Sequence, residues 1–245
     1  MTVRISEASF APHDYWQTLY PPGSIVPDAN GCYGRMFPGS LPDGRQIALP
    51  IRPLPRSEHD EGPAQAVASL ILTQAGFLVE ESLVSAAADL VRRYEPDIVV
   101  AVPTLGLIAG RGVARALGHG RYVALGTSRK FWYREELSVP MSSITSPGPG
   151  KTLWLDPRMV PLLEGARVAL VDDAVSTGRS LTAAMSVLRL AGIEPVCAAV
   201  AMLQTDRWRA AVENAAPGFS RHVHGVFQTP ILVQSAYDPP RWRPA

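Results

Sequence analysis

The chain has 245 residues, of which 47% are hydrophobic and 18% are charged. This length and composition allow one large buried core and exclude an intrinsically disordered chain. The net charge of +1 argues against a protein that binds nucleic acid or an anionic membrane surface. Two cysteines are too few for a disulfide scaffold, the N-terminus lacks a signal-peptide pattern, and the apolar runs are too short to span a membrane. The sequence therefore predicts a globular cytoplasmic protein.

The first 60 residues are rich in proline, glycine and aromatic residues, and they contain two short strand-like runs, at 35–37 and 46–49. Between these runs, Asp43 and Gly44 form a dipeptide that is typical of tight hairpin turns. A segment this short buries little core by itself. We therefore predict that residues 1–60 form a small β-containing extension and that residues 61–245 form the main domain.

After residue 61 the sequence alternates between two patterns. Apolar residues at helical spacing predict helices, and continuous apolar runs predict strands that are covered on both faces. Their order predicts an α/β fold with a mainly parallel, doubly wound sheet and right-handed crossovers. The predicted helices are 65–75, 80–93, 105–117 and 180–191, and the predicted strands are 98–102, 121–125, 166–171 and 195–203.

Residues 127–151 are polar and rich in serine, proline and glycine, with no sustained period, which predicts a long loop between two core strands. Loops of this length inside a compact domain are usually functional or disordered, and this position suits an active-site lid. Within it, Phe131, Trp132 and Tyr133 are three consecutive aromatic residues. We expect them to fold over a ligand or over a partner subunit.

Two acidic residues, Asp172 and Asp173, follow an apolar strand and precede a loop that leads into a helix. Ligands of open parallel sheets bind beyond the carboxyl ends of the strands, and the first N–H groups of a helix favour an anion. The loop adds hydroxyl groups and a glycine that permits close backbone approach to a phosphate. Its candidate phosphate-binding residues are Ala174, Val175, Ser176, Thr177, Gly178 and Ser180. Carboxylates beside a phosphate are reasonable if the ligand also presents hydroxyl donors, or if Mg²⁺ is shared.

The order of apolar strand, paired acids, Thr177 and Gly178 resembles the phosphoribosyl pyrophosphate (PRPP) signature of type I phosphoribosyltransferases. The resemblance implies that Asp172 and Asp173 are the catalytic acids, that they hold the ribose diol, and that they contact Mg²⁺ indirectly, through ribose or water. It implies that the loop holds the 5-phosphate. It also implies the type I fold and transfer of phosphoribosyl from PRPP to a nitrogenous base, with release of pyrophosphate.

Two further segments resemble adenine phosphoribosyltransferases within that family. Thr104, Leu105 and Gly106 resemble the pyrophosphate loop, although Leu105 stands where that family usually has arginine. Arg129 and Lys130 resemble the basic pair that binds the departing pyrophosphate, where two cations would neutralise the charge that builds up. The resemblance covers about half of the chain, over 80–209, and it implies a purine acceptor and a homodimer. The base would be covered by the N-terminal extension or by the tail strand over 226–233.

A second class of function remains open, in which PRPP or a nucleotide binds to the same fold and regulates a partner without catalysis. Leu105 and the unusual first 60 residues support this alternative, and PRPP binding without turnover would favour it. A separate candidate is the pair His222 and His224. In a strand the two would share one face and could ligate a metal, although a solvent-exposed pair is the simpler explanation.

Overall fold

The structure is a computed structural model that describes residues 4–5, 7, 10–56, 62–143, 146–236 and 241–245, with the backbone alone at 142–143 and 146–150. The chain divides into two compact units, which we call the β unit (Met1–Ser82 with Phe227–Ala245) and the α/β unit (Leu83–Val226). The domain division predicted after residue 60 stays a prediction. No helix in the described part of the chain combines the length and the apolar character that a membrane span requires.

The strands and helices are numbered in chain order. The strands are β1 (Leu19–Tyr20), β2 (Met36–Ser40), β3 (Gln46–Pro53), β4 (Gln65–Ala68), β5 (Ile98–Ala101), β6 (Val123–Ala124), β7 (Ser138–Ser143), β8 (Ser146–Trp154), β9 (Val168–Val175), β10 (Pro195–Gln204), β11 (Val223–Thr229), β12 (Ile231–Gln234) and β13 (Trp242–Pro244). The α-helices are α1 (Phe77–Arg92), α2 (Gly106–Ala116), α3 (Val160–Leu163), α4 (Arg179–Leu190) and α5 (Trp208–Ala215). Short 3-10 turns include Leu72–Gln74, Pro157–Met159 and Phe219–His222.

The α/β unit is built on a 5-stranded sheet in the order β11-β10-β9-β5-β6. The central strand β9 runs parallel to both β10 and β5, and β5 runs parallel to β6. Val99, Leu170 and Val200 on three of these strands are all 0% exposed, as expected for parallel strands that are covered on both faces. The predicted α/β fold with a mainly parallel sheet is confirmed.

The β unit contains an antiparallel sheet in the order β1-β3-β4-β12-β13, with β2 paired to β3. The predicted hairpin turn lies between β2 and β3, where Ser40 pairs with Gln46 and Gly44 has a φ of +85°. The predicted β-containing N-terminal region is thereby confirmed. The tail returns to this region, because β12 pairs antiparallel with β4.

The helix predicted over 65–75 is wrong. Residues Gln65–Ala68 form β4, which pairs with β3 on one side and β12 on the other, and Leu72–Gln74 form a 3-10 turn. Ala66 and Ala68 are 0% exposed within this sheet. Hydrogen bonds to two neighbouring strands outweigh a short helical pattern, because strand formation depends on its surroundings more than on local preference.

The long loop predicted over 127–151 is wrong in its second half. Strands β7 and β8 form an antiparallel hairpin in which Val139 pairs with Leu153. Leu153 and Leu155 are 0% exposed, and Met141 joins them in the hydrophobic core of the α/β unit. The first half, up to the 3-10 turn Glu135–Leu137, does connect β6 to the hairpin as a loop. Its role as a lid stays a prediction.

Candidate active site

Strand β9 extends beyond the end of its neighbour β5, and this places Asp172 and Asp173 at the carboxyl edge of the parallel sheet. The pairing of β5 with β9 ends where Ala101 faces Val171, whereas the pairing of β10 with β9 continues as far as Val175. Both acidic residues are nevertheless buried, with exposures of 6% and 8%. The site predicted from the sequence is therefore a pair of buried carboxyl groups at the edge where ligands of such sheets bind.

The two carboxyl groups have an unfavourable environment for negative charge. Burial raises the pKa of Asp172 well above its usual value, and the charge of Asp173 raises it further. Burial also raises the pKa of Asp173. The Asp173 N–H donates to Asp172 Oδ1 at 2.9 Å. Two buried carboxylates are costly unless cations or hydroxyl donors balance them, so the pair gains stability from such a ligand.

The loop after β9 ends at Gly178, the N-cap of α4, which has a φ of +81°. Glycine fits here because a Cβ would be strained at this φ and would lie 3.1 Å from Trp208 O. The first bond of the helix runs from Thr182 N to Gly178 O at 2.8 Å. Gly178 has no side chain to cap the earlier N–H groups, which leaves the first turn of α4 suited to an anion.

The predicted phosphate-binding residues differ in the groups that they can present to a phosphate. Val175 lies in the hydrophobic core at 3% exposure, and Ala174 has no polar side chain, so both could contact a phosphate only through the backbone. The residues that carry hydroxyl groups are partly exposed, and they are Ser176, Thr177 and Ser180.

Helix α2 begins directly against the acid pair. A Cβ on Gly106 would lie 2.8 Å from Asp172 Cα and would also contact Asp172 Oδ1. In the turn before the helix, Thr104 is exposed and Leu105 is partly buried, and the Pro103–Thr104 peptide bond is cis. The structure therefore brings the predicted pyrophosphate loop and the predicted catalytic acids into contact.

The predicted basic pair lies in the loop after β6, and the side chains of Arg129 and Lys130 are exposed. Because β6 runs parallel to β5, this loop leaves the sheet at the same edge as the turn before α2. Arg129 Nη1 lies 2.6 Å from Glu135 Oε1, and the Arg129 guanidinium lies 5.7 Å from the centre of the Trp154 ring. The arginine is thus held by an acid and an aromatic ring of its own chain.

The three aromatic residues after Lys130 have different surroundings. Trp132 Nε1 donates to Asp156 Oδ2 at 3.2 Å, and the Tyr133 ring lies 6.0 Å from the Trp154 ring. Phe131 is 96% exposed. Tyr133 therefore packs on β8, whereas Trp132 is hydrogen-bonded but still 37% exposed, so Phe131 and part of Trp132 are available to a ligand or a partner. Sequence reasoning missed Asp156, because a single acid after a hairpin belongs to no recognisable motif.

The histidine pair belongs to a hydrogen-bonded cluster. Tyr94 Oη lies 2.7 Å from His224 Nε2 and 3.3 Å from His222 Nδ1. His222 ends a 3-10 turn and only His224 lies in β11, so the prediction of one shared strand face is wrong. Burial, with the nearby charge of Arg93, lowers the pKa of His224 to about 4. Among the described residues, no group of three or more His, Cys, Asp or Glu side chains could hold a metal ion.

Comparison with known proteins identifies the family. The family profile described as phosphoribosyl transferase domain matches residues 78–234. The adenine phosphoribosyltransferase of Nocardia farcinica (strain IFM 10152) is 33% identical over 153 residues, which cover 59% of this chain and 72% of that protein.

Two solved structures share the fold. The APRTase from Giardia lamblia complexed with 9-deazaadenine has a TM-score of 0.52 at 22% identity and covers 73% of this chain and 93% of its own. The adenine phosphoribosyltransferase from Thermoanaerobacter pseudethanolicus ATCC 33223 has a TM-score of 0.51 at 16% identity, over 73% of this chain and 95% of its own. The profile match spans more than half of the residues, and the chain therefore belongs to the phosphoribosyltransferase family, with similarity to its adenine phosphoribosyltransferases.

Proposed function

We propose that this chain transfers the phosphoribosyl group of PRPP to a nitrogen of a purine base and releases pyrophosphate. The observation that carries the proposal is the buried pair Asp172 and Asp173, which lies against Gly106 and belongs to the strand that leads to the turn before α4. Family membership gives the class of reaction. The purine is proposed from the similarity to adenine phosphoribosyltransferases.

In this proposal Asp172 and Asp173 accept hydrogen bonds from the ribose diol. Hydroxyl donors would offset the unfavourable burial of the two carboxylates, whose pKa values are raised by that burial. Substitution at the anomeric carbon passes through an oxocarbenium-like state, which carries positive charge. A nearby carboxylate charge therefore favours that state over the neutral sugar, which is the requirement for catalysis.

The other residues position the two ends of PRPP. The backbone N–H groups of the α4 turn and the hydroxyl groups of Ser176, Thr177 and Ser180 would hold the 5-phosphate, which fixes the sugar relative to the acids. The turn before α2, over 104–106, would receive the pyrophosphate. Arg129 and Lys130 would neutralise the charge that develops on it as it leaves.

The donor set of the site fits Mg²⁺, because this ion prefers carboxylate and phosphate oxygens and commonly keeps several waters. Asp172 and Asp173 are two such acids, and they would hold the ion indirectly, through ribose or water. When bound, the ion would supply positive charge to the leaving pyrophosphate. We also propose a homodimer from family analogy, which the molar mass measured by light scattering would test.

The test is a pyrophosphate-release assay with PRPP, Mg²⁺ and a broad panel of purine and pyrimidine bases. We expect release with at least one purine and loss of release when a chelator removes the divalent ion. PRPP binding without turnover across the whole panel would contradict the proposal and favour the non-catalytic regulator. Leu105 supports the non-catalytic alternative, because with leucine at this position the turn before α2 has no arginine that could bind the pyrophosphate.

Lys130 provides a second test, because it carries an exposed cation in the proposed pyrophosphate site. Lys130→Ala should raise the KM for PRPP about tenfold, which corresponds to about 1.4 kcal/mol, since a charge-assisted contact is lost. The matched control is Lys151→Ala, which removes the exposed lysine of β8. An equal rise of KM in both variants would mean that overall charge, and not a specific contact, is responsible.

A further inference from the structure

The turn that carries the basic pair contacts the end of β8 and the segment that follows it. The Tyr133 N–H donates to Lys130 O at 2.9 Å, which closes the turn immediately after the two cations. Five residues make the contacts that hold this turn, and they are Trp132, Tyr133, Trp154, Asp156 and Arg158. None of these residues belongs to the motifs that identify the family in the sequence.

The first attachment is a buried carboxylate. Asp156 is 8% exposed, and its Oδ2 accepts the Trp132 indole N–H at 3.2 Å and lies 2.5 Å from Arg158 Nη2. The Arg158 guanidinium also lies over the Trp132 ring, 4.5 Å from its centre. The hydrogen bonds from Arg158 lower the pKa of Asp156 to about 2. Asp156 is therefore ionised at every physiological pH, and it accepts the indole N–H as a charged group.

The second attachment is Trp154, the last residue of β8. Its backbone exchanges two hydrogen bonds with Gly126, at 2.8 and 2.9 Å, and its ring lies 6.0 Å from the Tyr133 ring. The Arg129 guanidinium lies against the same indole at 5.7 Å. The loop is thus fixed at its start by Gly126 and at its end by Trp132 and Tyr133, with the two cations between these points.

We propose that Asp156 is a positioning residue, which acts through Trp132 to hold Arg129 and Lys130 where they receive the pyrophosphate group. A turn that is already ordered loses less conformational freedom when it binds its ligand, which increases affinity. This inference rests on the proposed function of the site. The simpler explanation is that Asp156 only caps the 3-10 turn Pro157–Met159, because its Oδ1 also accepts the Arg158 N–H at 3.0 Å.

Titration calorimetry of the 245-residue chain with magnesium pyrophosphate separates the two explanations. Trp132→Phe keeps an aromatic ring and removes the indole N–H, and we expect it to weaken pyrophosphate binding about tenfold. Asp156→Ala should weaken binding by a similar factor. The double variant should be no weaker than either single variant, because both remove the same interaction. In turnover assays, the KM for PRPP should rise in Trp132→Phe while kcat stays within about twofold.

The matched control is Trp16→Phe. Trp16 is a buried indole of the β unit whose Nε1 donates to the backbone oxygen of Ser69 at 2.8 Å, so this variant also loses an indole hydrogen bond, in the other unit. It should leave pyrophosphate affinity unchanged. Unaltered affinity in a folded Trp132→Phe, or effects that add in the double variant, would overturn the positioning role and leave the proposed function intact. Failure of the wild-type chain to bind pyrophosphate would overturn both.

Discussion

The double substitution Asp172→Asn with Asp173→Asn is expected to reduce phosphoribosyl transfer by about a thousandfold or more, without unfolding the chain. Asparagine keeps the size of each side chain and removes the negative charge that would favour the oxocarbenium-like state. It also relieves the burial of two like charges at exposures of 6% and 8%, so the fold should tolerate it. Pyrophosphate release and far-UV circular dichroism provide the two measurements. Turnover close to that of the wild type would reject the role of both acids.

The wild type and the double asparagine variant should also differ in how their free energies of unfolding depend on pH. Burial raises the pKa of both carboxyl groups in the folded state, so these two groups bind more protons in the folded chain than in the unfolded chain above about pH 4. The stability that these raised pKa values contribute is fully present below the pKa of the unfolded state. It is lost as the pH rises through the pKa values of the folded state. The free energy of unfolding of the wild type should therefore fall relative to that of the asparagine variant as the pH rises above about 4. A difference that does not change with pH, in urea titrations, would contradict this account.

Gly106→Ala should have the second-largest effect. The new methyl group would lie 2.8 Å from Asp172 Cα. The backbones of α2 and β9 cannot move apart as easily as a flexible side chain could change its rotamer. We expect a loss of about 1–3 kcal/mol in the free energy of unfolding, as for other overpacked sites. Transfer should fall about a hundredfold, because displacement of a catalytic group by about 1 Å is sufficient for such a loss. Urea unfolding and the release assay measure the two effects.

Gly120→Ala is the control for this experiment. Gly120 lies in the same α/β unit, its φ is not in the left-handed region, and a Cβ there would have no atom within 4 Å. The control should therefore change stability and activity little. If Gly106→Ala behaved like Gly120→Ala, the close contact between α2 and the acid pair would not be a feature of the protein.

The parts of the fold that could be predicted are those in which the sequence pattern reflects burial directly. Strands β5, β9 and β10 are continuous apolar runs, and α4 has apolar residues at helical spacing, so each pattern agrees with its surroundings. Strand β4 could not be predicted, because it is only four residues long and one of its two partners, β12, comes from the far end of the chain. The hairpin of β7 and β8 could not be predicted either, because prolines such as Pro140 interrupt the alternation of apolar and polar residues that indicates a strand.

The same distinction applies to the candidate active site. Asp172, Asp173 and the turn before α4 are contiguous in the sequence, so their order alone indicated a phosphate site. The contact of Gly106 with Asp172 and the hydrogen bond of Trp132 with Asp156 join separate segments, and no local pattern encodes them. The aromatic residues were expected to cover a ligand or a partner. In the structure, Tyr133 packs on Trp154 of β8 and Trp132 donates to Asp156, while Phe131 and Trp132 keep exposed surface, so that expectation stays a prediction.

A crystal structure of the chain with PRPP and Mg²⁺ tests the central claim most directly. The account predicts that the 5-phosphate accepts hydrogen bonds from backbone N–H groups over 176–180, and that the ribose hydroxyls donate to Asp172 and Asp173. PRPP bound elsewhere, with the α4 turn empty at saturating ligand, would contradict it.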